Sequence, residues 1–233
     1  AHLRREARAM AAITHPNLAL IFGVEAWQGT PILVIEYLAG LTLAERLAKG
    51  PLGWSEVLQL SLTLANALDR VHSSGILHRD VKPSNIGFTE ERVPKLLDFG
   101  LVQIAKHDVV VWTGDLALDG GETESSVSGT PLYMSPVALA GARSDPSVDL
   151  WGLGVVAFAA IAGRHPYERE SPQETLEAIL LGRAIELREA CPGCPDAVAD
   201  LFEKVLARER SRRPSTAREL SGLLRSTTER IAT

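Results

Sequence analysis

From Trp54 to His72 the residues Val57, Leu58, Leu60, Ser61, Leu64, Ala65, Leu68 and Val71 recur three and four positions apart. That spacing predicts one long helix with a single broad apolar face, capped at Trp54-Ser55 and stopped by Gly75. Leu150 to Ala162 is apolar nearly throughout. It is too short to span a bilayer and predicts a helix buried on all sides. Two earlier runs, Leu18 to Trp27 and Pro31 to Tyr37, are rich in strand formers, with Gln28-Gly29-Thr30 as the turn between them. Pro94 to Leu97 predicts a short strand, and further helices are expected to start near Asp149, Pro172, Asp196 and Ser215. Gln103 to Ser128 has no period and is rich in Gly, Asp, Thr and Ser, which predicts a long loop.

The chemistry-bearing residues crowd between the long helix and the short strand. There the chain reads His78-Arg79-Asp80-Val81-Lys82-Pro83-Ser84-Asn85, and the strand runs directly into Asp98-Phe99-Gly100. A phosphoryl group in transfer has little covalent hold on its neighbours, so a protein that moves one must align the acceptor and neutralise charge on the oxygens. A carboxylate such as Asp80 can orient a hydroxyl and accept its proton. Lys82, two residues on, falls on the same side of an extended segment and suits a phosphate oxygen as a point charge. Asn85 and Asp98 offer the hard oxygen ligands that Mg²⁺ takes alongside water and nucleotide phosphates.

This constellation resembles the eukaryotic-type serine/threonine protein kinases of the kind also found in bacteria, and the resemblance runs through nearly the whole chain. It implies ATP and Mg²⁺ as cofactors, a protein substrate, Asp80 as catalytic base, Lys82 as the phosphate-contacting cation, and Asn85 and Asp98 as metal ligands. Gly129 to Pro136 resembles the end of an activation segment, in which the Thr130 hydroxyl braces Asp80 and Lys82. Asp149-Leu150-Trp151-Gly152 resembles the start of the central buried helix, whose Asp ties down the catalytic loop. The run Ile32 to Leu43 resembles the hinge, with backbone groups of Glu36 and Leu38 set against the adenine ring. The fold so implied is α+β: a remnant of a small β-rich lobe over residues 1–38 and a mainly helical large lobe over 39–233.

Departures from the family pattern sharpen these expectations. Where the family has a Glu that pairs with the closing Arg, here Arg213, this chain has Val137. A buried Arg left without a partner costs about 3–5 kcal/mol. Leu41 stands where a second Gly is common in the hinge run. The opening segment, Ala1 to Thr14, resembles the helix carrying the Glu that partners the nucleotide-positioning Lys, with Glu6 as that Glu. No Gly-rich loop and no Lys-bearing strand precede it, so this piece is expected to be cut from a longer kinase and nearly inactive alone; the alternative is a pseudokinase acting as a scaffold.

Charge and composition narrow the partners. A net charge of −5 with no run of basic residues gives no footprint for nucleic acid, and no membrane span is read from the sequence. A kinase-domain dimer is among the arrangements the resemblance allows, and the expected location is the cytoplasm, either as a free kinase or as the cytoplasmic domain of a longer membrane protein. Cys191-Pro192-Gly193-Cys194 offers two thiols where a structural zinc site needs four ligands, so reduced thiols in a loop are expected. His78 reads as a packed core histidine beside Phe99, and His2, His72, His107 and His165 as surface side chains. Arg79, directly before Asp80, is expected to meet a phosphate on Thr123, Ser125, Ser126 or Ser128.

Overall fold

The computed structural model describes residues 13–27, 30–97, 130–142 and 144–232. Among these residues two small antiparallel sheets and a set of helices give an α+β architecture. Strands β1 (Ile21–Trp27) and β2 (Thr30–Ile35) pair in register from Val24 opposite Leu33 to Trp27 opposite Thr30, with an irregularity between Ile21 and Gly23. Strands β3 (Ile86–Phe88) and β4 (Pro94–Leu96) form the second sheet. The sheets are stitched together just ahead of β1, where Ala19 N–H donates to Leu96 O at 2.9 Å and Leu96 N–H donates to Asn17 O at 2.9 Å.

Helix α1 (Leu43–Leu47) opens on a capping box. The Glu45 N–H donates to the Thr42 hydroxyl at 3.2 Å, while the Thr42 N–H donates to the Glu45 carboxylate at 2.7 Å. Helix α2 (Trp54–Ser73) buries the face its spacing predicts, from Val57 to Val71, with Ala67 added to it. Its cap is Gly53, one residue earlier than expected, because extended backbone there turns into the helix without help from a side chain. Leu64 and Leu68 on that face are fully buried. Leucines so placed typically lose about 2–5 kcal/mol on truncation to Ala.

Helix α3 (Pro136–Leu139) is short, and α4 (Ser147–Ala162) follows it. Fourteen of the sixteen residues of α4 are buried, as an all-apolar helix demands. The remaining helices are α5 (Pro172–Leu181), α6 (Leu187–Ala190), α7 (Asp196–Val205) and α8 (Ala217–Ala232). Helix α2 packs against both α4 and α8, and α7 joins α4 to α8, so the core is a continuous apolar mass centred on α2 and α4. Helix α8 starts two residues later than expected because Ser215 and Thr216 act as its cap: Glu219 N–H donates to the Thr216 hydroxyl, and the Glu219 carboxylate reaches back to the Ser215 N–H.

Arg213 is 9% exposed and does not go unsatisfied. Its Nε donates to Ala207 O at 2.5 Å, its Nη2 donates to Arg208 O at 2.9 Å, and the guanidinium lies 4.2 Å from the Trp151 ring centroid. Carbonyl oxygens and an indole face therefore do part of what a carboxylate would do. Burial still pulls the Arg213 pKa below its usual value.

Candidate active site

The segment between α2 and β3 is anchored first by one buried side chain. Asp149, in the first turn of α4, has a fully buried carboxylate. Its Oδ2 accepts from His78 N–H at 2.8 Å, its Oδ1 accepts from Arg79 N–H at 2.6 Å, and Oδ2 also meets His72 Nε2 at 2.7 Å. Arg79 adopts a φ of 66°, a left-handed conformation that L side chains seldom occupy, and the Asp149 carboxylate grips its amide. Gly152, one turn along α4, lets the loop settle on the helix: a Cβ there would lie 2.9 Å from Val81 O.

On this foundation three of the expected residues, Asp80, Lys82 and Asn85, come together. Asp80 Oδ2 meets Lys82 Nζ at 2.8 Å and accepts from Asn85 Nδ2 at 2.8 Å. Asn85 Nδ2 also donates to Asp80 O at 2.9 Å. The Asp80 and Lys82 side chains are about one-fifth exposed, open to a reactant yet shielded from bulk screening. One carboxylate oxygen is thus clasped by two donors, and among the described residues Oδ1 meets no hydrogen-bond partner. With its amide nitrogen committed to Asp80, Asn85 presents Oδ1 as the atom left for a cation.

The neighbouring strand is pinned to the same loop. Leu97 N–H donates to Asn85 O at 2.8 Å, and His78 Nε2–H donates to Leu97 O at 2.8 Å. His78 is fully buried, and its Nδ1 accepts from Asp80 N–H at 3.3 Å, so it serves as a packed structural histidine. Asp98, Phe99, Gly100 and Glu6 lie outside the described residues, as do the candidate phosphorylation sites from Thr123 to Ser128. Thr130 opens a 3₁₀ turn, Thr130–Tyr133, and its hydroxyl falls outside the described side chains. A cavity of about 110 Å³ lies between loop and turn, lined by Asp80, Val81, Tyr133, Met134, Ser135 and Gly152 among others.

The run that leaves β2 is only partly bonded along its backbone. Glu36 N–H donates to Leu20 O at 2.8 Å, but among the described residues neither Glu36 C=O nor Leu38 N–H has a hydrogen-bond partner. These are the two groups expected to meet an adenine. The Leu38 side chain reaches β3, where Gly87 admits it: a Cβ there would lie 2.6 Å from Leu38 Cδ1.

Two residues expected on the surface are not there. The His72 side chain is 8% exposed and bound to Asp149; its position one turn beyond Leu68 on the buried face of α2 was the available signal. His165 donates from Nε2 to Leu132 O at 3.0 Å, accepts Tyr167 N–H at Nδ1, and packs edge-on to Tyr133. Burial lowers its pKa to about 4, and nothing in the local sequence announces that environment. Cys191 and Cys194 are free thiols in the turn between α6 and α7. Burial, with Cys191 adding to it, pushes the Cys194 thiol up to about 11, which disfavours the thiolate that redox chemistry needs.

Among the described residues no helix is long and apolar enough to cross a membrane, and no three His, Cys, Asp or Glu side chains gather as a metal site.

Residues 1–222 match the protein kinase domain model. The chain is 35% identical to the serine/threonine-protein kinase PknK of Mycobacterium tuberculosis over 97% of its length, covering 20% of that protein. It is 30% identical to the serine/threonine-protein kinase pkn2 of Myxococcus xanthus over 95% of its length, covering 26% of that protein. It is 28% identical to the serine/threonine-protein kinase PrkC of Bacillus subtilis over 93% of its length, covering 32% of that protein. Use of ATP with a divalent cation is general in this family. With the Asp80 loop, its buried anchor and the match to the family model over residues 1–222 in agreement, this chain belongs to the protein kinase domain family, in the serine/threonine branch found in bacteria.

Proposed function

We propose that this chain transfers the γ-phosphoryl group of Mg²⁺·ATP to Ser and Thr hydroxyls of protein substrates. The observation that carries the reading is the Asp80 carboxylate, clasped through one oxygen by Lys82 and Asn85 on a loop fixed by Asp149. Its open oxygen orients the acceptor hydroxyl and takes its proton, a contribution of about 10²–10⁴ in rate for a well-placed base. Lys82 balances charge on the moving phosphoryl oxygens. Asn85 Oδ1 and the Asp98 carboxylate are the hard oxygen donors that would hold Mg²⁺, which when bound neutralises charge between the phosphates. Glu36 C=O and Leu38 N–H meet the adenine, and Glu6 is the acid for a nucleotide-positioning Lys. The Thr130 hydroxyl braces Asp80 and Lys82.

Residues 1–38 belong to the small lobe and 39–233 to the large one, and the domain works in the cytoplasm. Arg79 is exposed and among the described residues has no acidic partner, so it stands ready for a phosphate on Thr123, Ser125, Ser126 or Ser128. Incubation of the full-length gene product with labelled ATP, Mg²⁺ and a Ser/Thr-rich protein should yield phosphoserine or phosphothreonine, and chelation should abolish it. Phosphosite mapping should find label between Asp98 and Thr130. Absence of transfer from the full-length protein would refute the reading.

A further inference from the structure

We infer that Lys95 is a positioning residue for the adenine end of the nucleotide, acting through Glu36. The inference rests on the kinase reading above, which uses the Glu36 carbonyl but gives Lys95 no role. Lys95 sits on β4, beside the catalytic loop, and its ammonium meets both Glu36 carboxylate oxygens, at 2.7 and 2.8 Å. Glu36 Oε2 also accepts from Leu20 N–H at 2.9 Å, and Glu36 N–H donates to Leu20 O at 2.8 Å. Side chain and amide of Glu36 are thereby fixed from two directions, and its C=O is the polar group left unbonded among the described residues.

The pair differs from an ordinary surface ion pair. The Lys95 side chain is 12% exposed and that of Glu36 22%, so solvent screens the attraction less, and the ammonium faces both oxygens. Burial tends to raise the Glu36 pKa, but the Lys95 ammonium and the Leu20 N–H outweigh it and hold the carboxyl below its usual value. The pair also lies in a line of ties between the two sheets. Asn17 Nδ2 donates to Pro94 O at 2.8 Å, and Leu18 bridges to Leu96. Along that line Lys95 is the tie that ends on the hinge residue itself. A carbonyl already held in place needs no ordering when the adenine arrives, and that advantage appears in nucleotide affinity. Phosphoryl transfer depends instead on the loop anchored by Asp149, so turnover at saturating ATP should be indifferent to the clamp.

The test compares the full-length gene product with its Lys95→Met and Lys95→Arg variants. Lys95→Met should raise KM for ATP about tenfold with kcat within about twofold, and Lys95→Arg should return KM to within about threefold of the starting value. The KM for the protein substrate should not move. Unchanged KM for ATP, or a fall in kcat as large as the rise in KM, would overturn the inference. If Lys95→Met does not fold, Lys95→Gln keeps a donor but drops the charge and carries the same test. Calorimetric binding of adenosine reads the clamp without turnover: weaker binding by the variant supports it, and equal or absent binding in both proteins refutes it. Failure of the kinase reading is read separately, as the lack of phosphoryl transfer by the unaltered protein.

Discussion

Around Asp149, donors from the end of α2 and from the catalytic loop converge on one fully buried carboxylate, while along β1 and β2 the apolar side chains of Phe22, Ile32 and Val34 lie partly or largely in solvent. The loop that carries Asp80, Lys82 and Asn85 is thus determined several times over: by Asp149, by Gly152 beneath Val81, and by Leu97 at its far side. The ribbon that leads into the hinge depends on a few ties to β4, among them the Lys95–Glu36 pair. The contrast separates two jobs. On the proposed function, the groups that would meet a moving phosphoryl with little tolerance sit on the over-determined loop, and those that would accept a ring sit where a few contacts decide position.

The largest effect expected from this difference belongs to Asp149→Asn. An amide of the same shape cannot accept all three donors, and its NH₂ faces backbone N–H groups. Urea unfolding should show a loss of about 3–5 kcal/mol, the usual result of breaking a buried charged network. Turnover should fall by about a hundredfold as the loop shifts. Equal stability and turnover would mean that the catalytic loop is no better fixed than the ribbon.

The second effect concerns His165, which ties the 3₁₀ turn Thr130–Tyr133 to the body of the protein. Its folded pKa, about 4, lies below its unfolded value, so the unfolded chain binds more protons between the two. The contribution is therefore fully present above about pH 6.5 and is lost as pH falls toward about 4, a change on the order of 3 kcal/mol. Unfolding measured across that window should show a steeper decline for the unaltered protein than for His165→Gln. Parallel curves would remove His165 from the account of acid stability.

Val137→Glu should change least. Arg213 already has two carbonyl partners and the Trp151 face, so restoring the family's acid should alter stability by less than about 1 kcal/mol in denaturant titrations. A much larger gain would show that the carbonyls leave the guanidinium poorly satisfied.

The fold was most legible where period and burial coincide. Helix α2 shows its buried face directly in the spacing from Val57 to Val71, and α4 shows in its unbroken apolar run that it is covered on every side. Boundaries were less legible because caps can be made by backbone alone, as at Gly53. Within the site, Asp80, Lys82 and Asn85 could be read because their spacing along one loop already implies a meeting in space. Lys95 and Glu36 are 59 residues apart, and His72 and Asp149 77 apart, so no local pattern joins them. Arg213 shows the converse: its missing carboxylate was plain in the sequence, whereas its carbonyl and indole partners required the packing around Trp151.

The most direct test of the account replaces Asp80 with Asn in the full-length gene product and follows phosphoryl transfer from labelled ATP beside thermal unfolding. The account predicts that kcat drops by about 10²–10⁴ while Tm moves by no more than about 3 °C, since the amide keeps its shape beside Asn85 and the loop anchor at Asp149 is untouched. Transfer at the unaltered rate, with the fold intact, would contradict it.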